Sequence, residues 1–206
     1  MNIKHELQIL LSTFAHNNRP EVLKDREAYA QWLAQTYYFV RHSVPLLGYA
    51  LPHLKNDGLK QRFGSHMGEE DRHDLMLLKD LEKLGRKITE FPEWSLTQGF
   101  YQSQYYRIQF EGGTSFLGYI LFLEALASGW GKDAHTAVKS VFPSAALFLR
   151  VHSEEDPAHV EEALNAIVKL GTEDQEMIFR NMLYSAEIYQ NIINKLSEAK
   201  AGRKIA

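Results

Sequence analysis

Two stretches of this chain carry the same spacing of metal-ligating side chains, and that repetition constrains the fold more than any other feature. His66, Glu70 and His73 stand at i, i+4 and i+7, and His152, Asp156 and His159 repeat the interval with Asp in place of Glu. On a helix these positions fall on one face about a turn apart, so each set can point into a shared interior. Between the sets lies Glu124, embedded in Leu121-Phe-Leu-Glu124-Ala-Leu-Ala127. A helix through that run is buried on most sides, and an unpaired carboxylate there costs on the order of several kcal/mol. Glu124 therefore needs a cation, a proton or a narrow polar stripe. A metal ion meets that need and accounts for both histidine–carboxylate sets at once.

Each residue also has an ordinary reading. His66 alone reads as a half-buried histidine. Glu69, Glu70, Asp71 and Arg72 read as a solvated helix face, which is what charge runs usually are. His152 and His159 read as polar positions beside an acidic helix start, and Asp156-Pro157 as an N-cap followed by the first residue of a helix. Glu124 resists such an account best, and the three features support one another.

Ligand type narrows the metal. Imidazole and carboxylate without sulfur suit Fe, Mn or Zn, whereas all-oxygen cages suit Ca or Mg. The chain has no cysteine, which excludes disulfides, thiolate ligands and a catalytic thiol. Seven candidate ligands exceed one tetrahedral Zn and suffice for two ions, favouring two Fe that share a carboxylate and keep open positions for O₂ and substrate. The aromatic residues Tyr37, Tyr38, Phe39, Tyr105, Tyr106, Phe110 and Tyr119 are read first as core.

Helical periodicity runs through nearly every other segment, with no alternating strand-like run. The pattern predicts helices over residues 2–15, 26–54 (kinked or interrupted by Pro45), 57–84 and 96–128, the last weakened at Gly112-Gly113. A loop over 86–95 and a turn at Gly129-Trp-Gly131 separate these. A helix from 132 to 155 is interrupted near Pro143, another runs to Leu170-Gly171, and the last spans 173–198. Thr172-Glu-Asp-Gln175 opens it with capping-box spacing. Pro157 is expected to disfavour helical geometry at Asp156 and to put the second set on a break.

A chain of 206 residues with 45% hydrophobic and 24% charged residues reads as one soluble globular domain over 1–206, its core about 26–198 and 199–206 a frayed tail. The formal net charge of −3 shows no electrostatic footprint for nucleic acid. The longest apolar stretch, around 116–128, is too short to span a membrane, and no signal peptide is read at the N-terminus. The expected setting is cytoplasmic, away from membranes. A small-molecule substrate is the expected partner, and a homodimer is one open form of assembly.

These residues resemble the haem-oxygenase-like diiron oxidases and oxygenases, relatives of the TenA and PqqC proteins. His152, Asp156 and His159 match the family's His-x₃-Asp-x₂-His motif letter for letter. Glu124 matches its middle-helix Glu, and His73, followed by Asp74-Leu-Met-Leu-Leu-Lys-Asp-Leu-Glu-Lys-Leu-Gly85, matches its first His. Some members use Glu-x₂-His, met by Glu70; others use Glu-x₆-His, whose first position is His66 here. The resemblance spans about residues 30–190. It implies an all-α, single-domain helical bundle of seven to eight helices and a diiron centre with O₂ as co-substrate. The implied ligands are Glu70, His73, Glu124 as the bridge, His152, Asp156 and His159, with His66 a seventh candidate. Members cleave fatty or amino acids oxidatively, N-oxygenate amines or build small aromatic metabolites, so a small amine or carboxylic acid is the implied substrate class. Arg107, Lys132 and Arg150 are candidate anchors for a substrate carboxylate.

Three rival readings stand beside this one. A ferritin-like iron bundle would use Glu70-x₂-His73 and Asp156-x₂-His159, but it needs a second single-Glu helix that the chain does not offer. A metal-free TenA-like member would bind or hydrolyse a small molecule, and the lack of cysteine argues against the thiol-dependent hydrolase. The third is an interaction protein with a vestigial site.

Overall fold

The computed structural model of the chain describes residues 2–203, with side chains as far as residue 198. Ten α-helical segments follow in order: α1 Ile3–Asn17, α2 Arg26–Val40, α3 Ser43–Ala50, α4 Asp57–Glu69, α5 His73–Lys83, α6 Ser95–Glu111, α7 Leu117–Leu126, α8 Lys132–Lys139, α9 Leu147–Ile167 and α10 Thr172–Arg203. Only α3 and α8 are shorter than ten residues, and the described residues contain no strand. Side-chain oxygens of Asn2, Asp25 and Asn56 start α1, α2 and α4 by accepting from His5, Ala28 and Leu59 backbone N–H at 3.2, 2.9 and 3.0 Å. Each satisfies a donor that the first turn leaves without a partner.

Helix α7 is the axis of the bundle. Nine of its ten residues are buried, and it packs against α9 on one side and α10 on another. A Cβ at Gly118 would stand 2.1 Å from the Ile178 carbonyl oxygen of α10, so glycine is what lets these two backbones meet. Beside that contact the Asn181 amide donates to the Ser115 carbonyl (2.9 Å) and to Gln104 Oε1 (2.8 Å), tying α10 to α6 and to the 3₁₀ turn before α7.

Several boundaries differ from expectation for identifiable reasons. The 26–54 helix breaks at Arg41-His42 rather than at Pro45, since the proline ring opposes the carbonyl one turn earlier and then sits comfortably in the first turn of α3. The Gly112-Gly113 break falls where expected: Gly112 has φ +99°, and a Cβ on Gly113 would stand 2.6 Å from the Ala50 carbonyl. No turn occurs at Gly129-Trp-Gly131; one turn of π-helix over Ala127–Gly131 carries α7 into α8. Thr172 is already helical, and Gln175 donates its amide to the Leu170 carbonyl (2.9 Å) instead of completing a capping box.

Two departures bear on the ligand sets. The 57–84 helix is divided, because Arg72 adopts the left-handed region at φ 69° and separates α4 from α5. Conversely, α9 runs unbroken through Pro157, so Asp156 is helical. Pro157 lies on the exposed face, where the backbone acceptor it leaves without an N–H is nearest to solvent. The tail expected over 199–206 begins as helix, since α10 continues to Arg203; residues 204–206 lie outside the described residues. No helix among the described residues is long and apolar enough to cross a membrane.

Candidate metal centre

The structure brings all seven candidate side chains together and sorts six of them into two groups of three. His66 from the end of α4 meets Glu124 of α7 and His159 of α9, with His66 Nε2 3.3 Å and His159 Nδ1 3.9 Å from Glu124 Oε1. Glu70, in the link after α4, meets His73 at the start of α5 and His152 of α9. Glu70 Oε2 lies 3.7 Å from His73 Nδ1, and the His73 and His152 rings cross at 85° with centroids 4.9 Å apart. Within each trio one ligand atom per residue lies within 4.8 Å of the others. Asp156 stands between the trios, its carboxylate 3.2 Å from His152 Nδ1 and 3.6 Å from His159 Nδ1.

The break at Arg72 produces this sorting. On a continuous helix His66, Glu70 and His73 would line one face; the left-handed residue turns α5 away, so His66 joins one trio while Glu70 and His73 join the other. On unbroken α9 the seven residues from His152 to His159 make about two turns, and the helix delivers one histidine to each trio.

The donor set fits a metal by its unsatisfied atoms. His73 Nδ1, both Glu124 oxygens, His152 Nε2 and His159 Nδ1 are buried without a hydrogen-bond partner. Native interiors leave few such atoms, and those that remain call for an explanation. Here five of them converge on one interior. Each trio supplies two imidazoles and one carboxylate, the donor set that suits ferrous iron with open positions.

Electrostatics of the metal-free site follow from burial and neighbours. Burial pushes Glu124 up to about 8, against the pull of the Arg62 guanidinium. His66 is held below the ordinary histidine value by burial, and His73 by burial and then by His152. His159 is raised to about 9, chiefly by its interaction with Asp156. Burial acts against the charged forms of His152 and Asp156, yet their hydrogen bond and neighbouring opposite charges outweigh it, raising His152 and lowering Asp156.

An apolar cavity of about 100 Å³ opens onto the centre. Trp32, Phe39, Leu47, Phe116, Ile120 and Phe148 form walls, and His66, Glu70, Glu124, His152 and Asp156 line its polar end. Tyr119 and Phe39 border this cavity, whereas Tyr106 and Phe110 are 63% and 71% exposed and stack on one another at the surface, which corrects their reading as core. The candidate anchors are elsewhere: Arg107 pairs with Glu111, Arg150 with Glu154, and neither they nor Lys132 line the cavity.

Two charged residues at the centre were not singled out from the sequence as part of it. Arg62, largely buried, donates to Glu162 (2.9 Å) and to the His159 carbonyl (3.2 Å), with Nη2 3.9 Å from Glu124. Glu69, read as part of a solvated face, places Oε2 3.2 Å from His66 Nδ1 and 3.5 Å from His159 Nε2. An i, i+3 interval from His66 was available as a signal for Glu69; nothing local marks Arg62, whose partners lie about a hundred residues away.

Comparison with known proteins bears on these features. Residues 30–190 match the model of a family described as iron-containing redox enzymes. Among solved structures, a domain of unknown function with a haem-oxygenase-like fold from Shewanella denitrificans superposes with a TM-score of 0.84 at 18% identity, covering 96% of this chain and 91% of that one. A TenA homologue from Pseudomonas syringae pv. tomato gives 0.78 at 11% identity, covering 95% and 93%, and a TenA homologue from Pyrococcus furiosus 0.72 at 12%, covering 94% and 99%. These likenesses show an all-α, haem-oxygenase-like fold. No curated protein matches the chain.

Proposed function

We infer the function from one premise: this chain belongs to the family of iron-containing redox enzymes. We propose that it is a non-haem diiron oxidase or oxygenase that activates O₂ and acts on a small amine or carboxylic-acid metabolite. The observation that carries this reading is the pair of two-histidine, one-carboxylate trios, in which five buried ring nitrogens and carboxylate oxygens lack a hydrogen-bond partner. His66, Glu124 and His159 would hold one ion and Glu70, His73 and His152 the other. Glu124 is the proposed bridge because both of its oxygens lack a hydrogen-bond partner, whereas the Asp156 carboxylate is hydrogen-bonded to His152 and lies 3.6 Å from His159 Nδ1. When bound, ferrous iron supplies the means of reducing O₂.

The protein's own share is positioning and exclusion. Asp156 accepts from His152 Nδ1 and so leaves Nε2 free to ligate. Arg62 lends positive charge beside Glu124 and keeps that carboxylate from being an isolated buried anion. The aromatic and aliphatic walls keep the cavity dry, which strengthens every charge interaction inside it and accommodates the apolar part of a substrate.

Anaerobic titration with Fe(II) tests the proposal. Two Fe per chain, followed by an absorption transient on admitting O₂, is the expected outcome; no iron uptake with or without air would sink it. A second reading, a TenA-like protein that binds a small molecule without metal, draws on the two TenA homologues and the apolar cavity. It predicts ligand binding undiminished by chelators.

A further inference from the structure

Glu69 holds an unusual position for a half-exposed carboxylate. Its Oε2 lies within reach of ring nitrogens of two histidines from opposite halves of the chain, Nδ1 of His66 at 3.2 Å and Nε2 of His159 at 3.5 Å. The two rings stand edge to face, 5.3 Å apart at 85°. Their other nitrogens turn inward, His66 Nε2 to Glu124 Oε1 at 3.3 Å and His159 Nδ1 to Asp156 Oδ1 at 3.6 Å and Glu124 Oε1 at 3.9 Å. One carboxylate oxygen thus stands outside the pair and another inside it.

An ionised carboxylate only accepts hydrogen bonds, and a neutral imidazole carries one N–H. His66 Nδ1 is hydrogen-bonded to Glu69 and His159 Nε2 stands at 3.5 Å from the same oxygen, so donation from both rings requires opposite tautomers, protonated at Nδ1 in His66 and at Nε2 in His159. Each then has its lone pair on the nitrogen that faces Glu124. The nearest buried cation does not draw Glu69 away from the rings, since Arg62 is engaged by Glu162 and the His159 carbonyl.

We propose that Glu69 is the positioning residue for one trio of the centre, its Oε2 fixing His66 to ligate through Nε2 and His159 through Nδ1. This inference rests on the metal-centre reading above and adds an outer carboxylate that serves one trio only, since no contact joins Glu69 to His73 or His152. Outer partners of ligating histidines raise metal affinity by about 10- to 100-fold. Glu69→Gln keeps a carbonyl oxygen that can accept from both rings but removes the negative charge, whereas Glu69→Ala removes the acceptor altogether.

The test compares wild type, Glu69→Gln and Glu69→Ala, with anaerobic Fe(II) for stoichiometry and affinity, and Zn(II) as a diamagnetic probe for long-range ¹H–¹⁵N spectra of the histidine rings. Wild type is expected to bind two ions, with His66 metallated at Nε2 and His159 at Nδ1. Glu69→Ala should lose about 10- to 100-fold in affinity at one site and Glu69→Gln a smaller factor, with His66 and His159 resonances shifted and those of His73 and His152 kept. Unchanged affinity and unchanged His66 and His159 spectra would overturn the role of Glu69 while leaving the centre standing; equal weakening of both sites would reduce it to a general structural effect and overturn it too. A wild type that takes up neither ion would remove the centre itself, and the inference with it.

Discussion

Asp80 of α5 caps α9 from outside that helix: its carboxylate accepts from the backbone N–H of Phe148 at 3.0 Å and of Leu147 at 3.1 Å. Asp80 is 1% exposed, so the helix that carries His73 holds the first turn of the helix that carries His152, Asp156 and His159. The cap is thus also a brace between the two halves of the candidate centre. Replacing it strands one buried and one part-buried N–H group, and a lost cap of this kind costs about 1–3 kcal/mol. Asp80→Ala should lower the thermal midpoint accordingly and weaken iron binding at both proposed sites, read by calorimetry and Fe(II) titration. A variant with normal stability would show that the cap is dispensable.

Glu124 is a liability without metal, because burial of its charged form is what pushes its proton affinity up to about 8. Glu124→Gln keeps the shape and removes the charge. In the metal-free protein above pH 8 we expect this variant to melt at or above the wild-type temperature, while binding at most one ion in an iron titration. Uptake of two ions would disprove the bridge.

The pH dependence of the metal-free protein has a definite sign. Glu124 (raised from 4.5 to about 8) and His159 (raised from 6.5 to about 9) bind protons more tightly in the folded state, so their contribution is full below the unfolded values and is lost as pH rises toward 8 and 9. His66 and His73 are lowered and Asp156 is lowered, so each subtracts stability as pH falls through its unfolded value, 6.5 for the histidines and 3.8 for Asp156. Melting of metal-free protein from pH 5 to 9.5 should therefore show a fall on the alkaline side between pH 7 and 9. Metal displaces protons from the same groups, so loading at pH 7.5 should release acid measurable in weak buffer, and a loaded protein should lose the alkaline fall.

Arg72 is the one described non-glycine residue at positive φ. A left-handed residue with a Cβ costs about 1–2 kcal/mol, and a β-branched side chain fits such a position worst. Arg72→Val should destabilise further, since a β-branched side chain fits the left-handed region worse than arginine, and disturb the relation of Glu70 to His66, whereas Arg72→Gly should be neutral to stabilising and leave iron binding unchanged. Equal melting of the two variants would show that the conformation is not required.

Helical character and the singularity of Glu124 were legible in the sequence, because both depend on immediate neighbours: periodicity in one case, an unbroken apolar flank in the other. The grouping of the ligands was not. Reading His66, Glu70 and His73 as one face assumes a continuous helix, and no glycine or proline marks the turn that Arg72 makes. Pro157 misled in the opposite direction, since a proline on an exposed helix face can leave its acceptor to water and let the helix continue. Glu69 shows the limit most clearly. Its neighbours in sequence are charged, and only the arrival of His159, ninety positions later, gives it a second partner.

The unequal construction of the two halves has a mechanical consequence. His152, Asp156 and His159 ride one rod, so the spacing between them is a property of helical pitch, about 1.5 Å of rise per residue. His66 and His73 ride two rods that meet at a single left-handed residue, so the gap between them is governed by a backbone torsion. One half is a ruler and the other a joint. Rotating the joint by a few degrees would resize the space between the trios while the ruler stays still.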